Sequence, residues 1–187
     1  MSQQVLHLDF VTLSPSTGPE SREHLIEAAS GLTAIDRVLG AGVIERAGVG
    51  DFDLAFYFVL ADFAALEPFG TDSRYSHFLQ GEVAPKLQSF AGADVLLDGD
   101  FPPSAEFGAV LALIAPDETY DWEVRDALQA WAAKTGAATR VWGLAVGERQ
   151  QYRGLALVFG PEISDAAPPE PARFRATMLR GTARALA

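Results

Sequence analysis

Asp51-Phe52-Asp53-Leu54-Ala55-Phe56-Tyr57-Phe58-Val59-Leu60 is the stretch whose reading decides the fold. From Leu54 to Leu60 it is apolar without a break, too rich in aromatics and too poor in helical period for a surface helix. It reads as a strand buried on both faces. Alternation along it sends Leu54, Phe56 and Phe58 to one side and Tyr57 to the other. Working outward, Asp62 is placed to start a short helix over 63–67 that stops at Pro68. A second helix is expected over 73–89, carrying His77, and a return strand over 91–97. Upstream, Leu6, Leu8 and Phe10 alternate with His7, Asp9 and Val11, a strand over 5–13. Leu25, Ala28, Ala29 and Leu32 make a helical stripe, and 37–45 follows as a glycine-bearing strand. Strand, helix, strand, strand, helix, strand over 5–100 is the split βαβ, or ferredoxin-like, order.

The order then restarts. Residues 98–104 have linker composition, and 107–115 reads as a strand. A helix over 122–134 shows Val124, Ala127, Leu128 and Trp131 on one face, and strands follow over 139–146 and 152–159. The last stretch, 172–185, carries Arg173, Arg175, Arg180 and Arg184 and is read as a helix, leaving no room for an eighth strand. The expected fold is α+β: tandem ferredoxin-like repeats, 1–103 and 104–187, forming a single-chain (pseudo-dimeric) α/β barrel with helices outside. One polypeptide then acts as a monomeric pseudo-dimer, or pairs into a homodimer if an open sheet edge is left to cover.

Composition narrows the function classes. A formal net charge of −11 with twelve Arg and two Lys argues against a nucleic acid or an anionic membrane as partner. The chain has no cysteine, so disulfides and thiolate metal sites are excluded. No apolar run approaches the ~20 residues of a spanning helix, and the first residues lack a signal-peptide pattern. A cytoplasmic location is expected. Three scattered histidines make no metal site by spacing, and Gly40-Ala41-Gly42 lacks phosphate-loop spacing, so neither metal nor cofactor is expected.

The candidate chemistry lies in the first half, which holds all three histidines. His7 and Asp9, at i and i+2, share a strand face, where a carboxylate can orient an imidazole and raise its basicity. His24 sits between Glu23 and Glu27 on a polar helix face and reads as solvated. The arginines of the last stretch read as a solvated face, with a dock for an acidic partner as the rival account.

The first half, over about 5–101, resembles the stress-responsive A/B barrel (Dabb) family of dimeric α/β barrels. The residues that carry the likeness are Leu6-His7-Leu8-Asp9-Phe10, Phe52-Asp53-Leu54-Ala55-Phe56, Asp62-Phe63-Ala64-Ala65-Leu66, His77, Pro85-Lys86-Leu87 and Val95-Leu96-Leu97-Asp98. The second half matches only in element order. The resemblance implies a pocket for a small apolar or aromatic molecule and, in cyclase-like members, ring closure by aldol condensation without a cofactor. It places His77 as base and a tyrosine slightly earlier as its helper. Phe69 stands at that tyrosine position, with Tyr75 nearby as the hydroxyl donor. It also turns Phe56 toward the ligand space, with Leu54, Phe58, Phe69 and Leu25 as further lining candidates. The expected function is therefore a small-molecule-binding barrel with cyclase-like chemistry on a polyketide-like or aromatic substrate. The expected site is one pocket, between the first half's helices and its sheet, holding His77 and His7. The alternatives are a non-catalytic ligand-binding or stress-responsive barrel, and a cofactor-independent or haem-type monooxygenase.

Overall fold

The end of the chain closes the architecture, and it does so as a strand. The structure, a computed structural model, describes residues 3–48, 50–97, 101, 107–146, 151–169 and 173–187. The first half runs β1 (Val5–Leu13), α1 (Pro19–Ser30), β2 (Val38–Arg46), β3 (Leu54–Leu60), α2 (Leu66–Thr71), α3 (Ser73–His77) and β4 (Leu87–Leu96). The second runs β5 (Phe107–Ile114), α4 (Asp121–Lys134), β6 (Thr139–Leu144), β7 (Gly154–Gly160) and β8 (Arg175–Ala185). Among the described residues eight strands form one antiparallel sheet in the order β4-β1-β3-β2-β8-β5-β7-β6. The expected terminal helix is thus corrected to β8, a central strand pairing with β2 and β5. Burial decides this: Leu179, Gly181 and Ala183 alternate as buried positions along β8, a period of two that the arginine spacing disguises.

Two seams join the halves. At β2–β8 the backbones come so close that a Cβ on Gly181 would lie 1.5 Å from the Glu45 carbonyl oxygen. At the other end of the sheet, Val95 bridges Ala145, and the Val146 N–H donates to the Asp94 carbonyl at 2.8 Å. A Cβ on Gly143 would there lie 2.0 Å from the Leu96 carbonyl oxygen. The sheet therefore curls until its end strands, β4 and β6, touch, and β8 supplies the eighth strand.

Strand alternation sorts the core into three layers. Leu6, Leu8, Phe10, Tyr57 and Val59 meet Val110, Tyr152, Leu157, Phe159 and Leu179 inside the barrel. This interior is filled: Phe10 stacks on Phe52 and meets Tyr152, while Tyr57, Phe101 and Phe159 pack ring to ring. The opposite faces of β1 and β3 pack under α1, α2 and α3, and the opposite faces of β5 and β7 under α4.

The helix between β3 and β4 is broken as expected, with different breaks. α2 runs through Pro68, which sits in its first turn where the missing N–H has no intrahelical partner to lose. Asp72 caps α3 by accepting from the Arg74 N–H. The chain continues as a π turn (Phe78–Val83) and a 3-10 turn (Ala84–Lys86) before β4 begins at Leu87. The boundary between repeats, near residue 103, lies outside the described residues. Among those described, no helix is long and apolar enough to cross a membrane.

Candidate functional site

Register brings the site together. β1 pairs with β3 on one side and β4 on the other, so His7 lies opposite both Phe58 and Asp94. His7 and Asp9 point away from the barrel interior, toward the helices, where α3 lowers Tyr75 onto them. The imidazole is held at both nitrogens: Nδ1 lies 2.6 Å from Asp94 Oδ1, and Nε2 lies 2.8 Å from the Tyr75 hydroxyl and 3.2 Å from Asp9 Oδ1. The Tyr75 hydroxyl in turn donates to the Asp9 carboxylate, at 3.0 and 3.1 Å from its two oxygens.

One proton arrangement satisfies all of the contacts just described. A protonated His7 donates from Nδ1 to Asp94 and from Nε2 to the Tyr75 oxygen, and Tyr75 donates to Asp9. The electrostatics agree. Burial by itself would lower the His7 pKa, but the Asp9 and Asp94 carboxylates outweigh it and hold the imidazole up at about 10. Burial, then the Asp9 charge, pushes the Tyr75 phenol well above its usual range. At neutral pH both side chains are hydrogen-bond donors, not bases. Asp9 is 1% exposed, a carboxylate deep in the sheet–helix layer.

The rings of Phe58, Phe69 and Tyr75 roof the imidazole, with centroids 6.2, 5.1 and 5.5 Å from its own. The structure thus gathers His7, Asp9, Tyr75, Phe58 and Phe69 at one point. Phe56 shares their face of the sheet and meets Phe78 edge-on at 5.4 Å, and Leu54 and Leu25 are fully buried in the same layer. His77 is not part of this gathering. It lies exposed on the outer side of the helix against Gly81, near Glu82. His24 is 61% exposed and meets Glu82 at 3.2 Å.

Asp94 is the member that sequence reasoning missed. It is an acid inside the otherwise apolar Ala93-Asp94-Val95-Leu96, and pairing the outer strand of a ferredoxin-like half with its first strand would have set it beside His7. Among the described residues, no three His, Asp or Glu side chains are arranged to hold a metal ion. In the cluster itself Asp94 and Asp9 meet opposite edges of the imidazole, so their oxygens do not converge on one point with a ring nitrogen.

No family model matches the chain, and no curated protein matches it. Solved structures do. An anthrone oxidase-like protein superposes with a TM-score of 0.66 at 14% identity, covering 100% of this chain and 94% of that one. A mutant chlorite dismutase from Candidatus Nitrospira defluvii, in complex with cyanide, gives 0.58 at 14% identity over 98% and 91%. A monooxygenase-named protein from Fusobacterium nucleatum subsp. nucleatum gives 0.56 at 12% identity over 100% and 94%. At these identities the likeness shows the fold: this chain is a single-chain, pseudo-dimeric ferredoxin-like α/β barrel.

Proposed function

We propose that the protein is a small-molecule-binding α/β barrel of the Dabb kind, and that the His7–Asp9–Tyr75–Asp94 cluster is its site. The observation that carries this is an imidazole held at both ring nitrogens and a phenol donating to a buried carboxylate, in an apolar layer with aromatic rings around it. The cluster is closed at rest by Phe69 and Tyr75, and it takes an aromatic ligand that bears a carbonyl once α2 and α3 move off the sheet. The carbonyl oxygen replaces one of the cluster's internal contacts and accepts from Tyr75 or His7 Nε2. Asp9, freed of that contact and within about a hydrogen bond's length, takes a proton from the carbon next to the carbonyl. The donors hold the enolate oxygen, and the enolate carbon then attacks a second carbonyl of the same ligand, which is protonated at oxygen as the ring closes. In this reading His7 and Tyr75 are donors and Asp9, not the exposed His77, is the base.

Whole-chain likeness to anthrone oxidase-like and monooxygenase-named proteins supports a second reading with the same first step. There the enolate carbon adds to dissolved oxygen to form a hydroperoxide. Loss of water from it breaks the O–O bond and leaves a new carbonyl, so that one oxygen atom stays in the product and the other leaves as water.

Both readings require enolisation, so the test is proton exchange. Aryl methyl ketones and aryl 1,3-diketones are incubated with the protein in D2O, and loss of the α-proton NMR signal is followed. Exchange is expected to exceed the buffer rate and to fall ~10²–10⁴-fold in Asp9→Asn and Tyr75→Phe, with His24→Ala unchanged. Exchange at the buffer rate, or undiminished in Asp9→Asn, overturns the reading. Oxygen uptake separates its two forms.

A further inference from the structure

The second half offers a different site in the equivalent place. Position along the strands sets the correspondence. His7 and Ala109 are third in β1 and β5, and their partners Phe58 and Val158 are fifth in β3 and β7. Asp94 and Arg180 pair with His7 and Ala109 from the other side. Ala109 therefore stands where His7 stands, and Arg180 where Asp94 stands. The crossover above them also differs. Between β3 and β4 it is helical, whereas the described residues between β7 and β8, 161–169 and 173–174, contain no helix. With a methyl in place of an imidazole and the irregular stretch 161–169 above it, a cavity of about 390 Å³ lies against α4. Phe107, Ala109, Trp131, Ile163 and Met178 supply its apolar walls, and Arg180 is the one cation among the described residues lining it.

We propose that this cavity binds a small aromatic or apolar carboxylic acid, its body between Trp131 and the sheet and its carboxylate on Arg180. The volume falls in the range of small-molecule pockets, roughly 300–1,000 Å³. Trp131 is 3% exposed, and its indole N–H donates to the Ala166 carbonyl at 3.2 Å, which fixes the ring as a wall. Arg180 is held at the mouth by the Ile163 carbonyl and by Asp165, 3.2 Å away. Asp165 is 93% exposed, so its ion pair is screened by water and is readily given up to a ligand carboxylate that arrives with apolar burial. The charge that selects the ligand is opposite in sign to the acids of the first-half cluster, so the two sites take different chemistry and neither proposal rests on the other.

The probe pair is 2-naphthoate and its neutral isostere, 2-naphthamide, titrated into the intact chain. Heat of binding and the NMR signal of the Trp131 indole N–H are followed. The expected result is saturable one-to-one binding of naphthoate that shifts this signal. Arg180→Gln is expected to weaken naphthoate at least ~10-fold and to leave the amide unchanged. Asp165→Asn should tighten naphthoate, and Ala109→Leu, which fills the cavity, should weaken both probes. The ring signals of His7 and Tyr75 should stay unmoved as naphthoate saturates, which separates this site from the first-half cluster. Naphthoate that leaves the Trp131 signal unmoved at millimolar concentration, or that binds Arg180→Gln as tightly as wild type, overturns the proposal. Arg180 lies partly exposed at the mouth, so that variant tests the point even if Ala109→Leu fails to fold.

Discussion

At one register position the two halves of this barrel made opposite choices. The first half puts an imidazole between two carboxylates and roofs it with α3. The second puts a methyl beside a guanidinium and lets an irregular segment cross above it. The barrel interior is shared, and among the described residues it is packed with side chains from both halves. The difference lies outside, between sheet and helices, and it shows how a pseudo-symmetric fold diverges. The shared layer holds the backbone register constant while each outer layer is free to be packed shut or left open.

The severest way to break the comparison is to separate the halves. Residues 1–103 expressed alone would expose the barrel face of β1 and β3 and both seam strands, β2 and β4. This fragment is expected to aggregate or self-associate, as sedimentation would show. A monomeric fragment with the stability of the whole chain would mean that the halves are independent domains.

Within the first half, His7→Leu removes the cation that Asp9 and Asp94 share. Breaking a buried ion pair from one side is expected to cost about 3–5 kcal/mol in urea denaturation, because the buried Asp9 carboxylate loses its cation. The equivalent second-half substitution, Ala109→Leu, meets a cavity and is expected to be far milder. Equal losses at the two positions would show that the cluster is not the electrostatic centre described above.

Core truncation sharpens the same contrast. Phe56→Ala is expected to cost ~3–5 kcal/mol and Leu128→Ala ~2–5 kcal/mol, since both side chains are fully buried. Phe56 is packed against Phe78 under the closed roof, whereas Leu128 belongs to the helix of the more open half. The larger loss should fall on Phe56.

The pH dependence follows from the raised pKa of His7. A group held at about 10 in the folded chain and near 6.5 in the unfolded one stabilises the fold fully below ~6.5. That contribution declines as pH rises from there and is lost as pH passes about 10. Wild-type urea midpoints, compared with those of His7→Gln across this window, should converge as pH rises. A constant difference would mean that His7 is held neutral.

Much of this was legible in the sequence, and the failures have physical causes. The buried run 54–60 and the alternation in 5–13 fixed the first half, because both burial patterns are written in strand period. The alternation of His7 and Asp9 also put them on one face correctly, and Tyr75 was within reach of them. Asp94 was hidden because its partner is 87 residues away and only pairing register unites them. The terminal strand is read as a helix over 172–185 because its strand period is carried only by the small or single apolar positions Leu179, Gly181 and Ala183, amid Arg175, Arg180 and Arg184. Three arginines of this stretch are tied to separate acids: Arg173 to Glu123, Arg180 to Asp165, and Arg184 to Glu23 and Glu45. Of these, the Arg180 tie reaches the exposed Asp165 and is solvated, whereas the Arg184 ties join β8 to α1 and β2.

The mildest test concerns the last of those ties. Arg184 lies on β8, in the second half by sequence, yet its guanidinium meets Glu23 on α1 at 2.9 and 3.0 Å and Glu45 on β2 at 3.3 Å. The fork-to-carboxylate contact with Glu23 holds that carboxyl below its ordinary pKa and belongs to the better kind of surface ion pair. Glu23 is half exposed, however, so solvent and salt screen most of the attraction. Arg184→Ala should therefore lower the Tm by less than any substitution above. The deficit should shrink as salt rises toward 1 M, where the screening length falls to about 3 Å. If the deficit persists unchanged at high salt, Arg184 contributes through the packing of its stem across the β2–β8 seam and not through its charge.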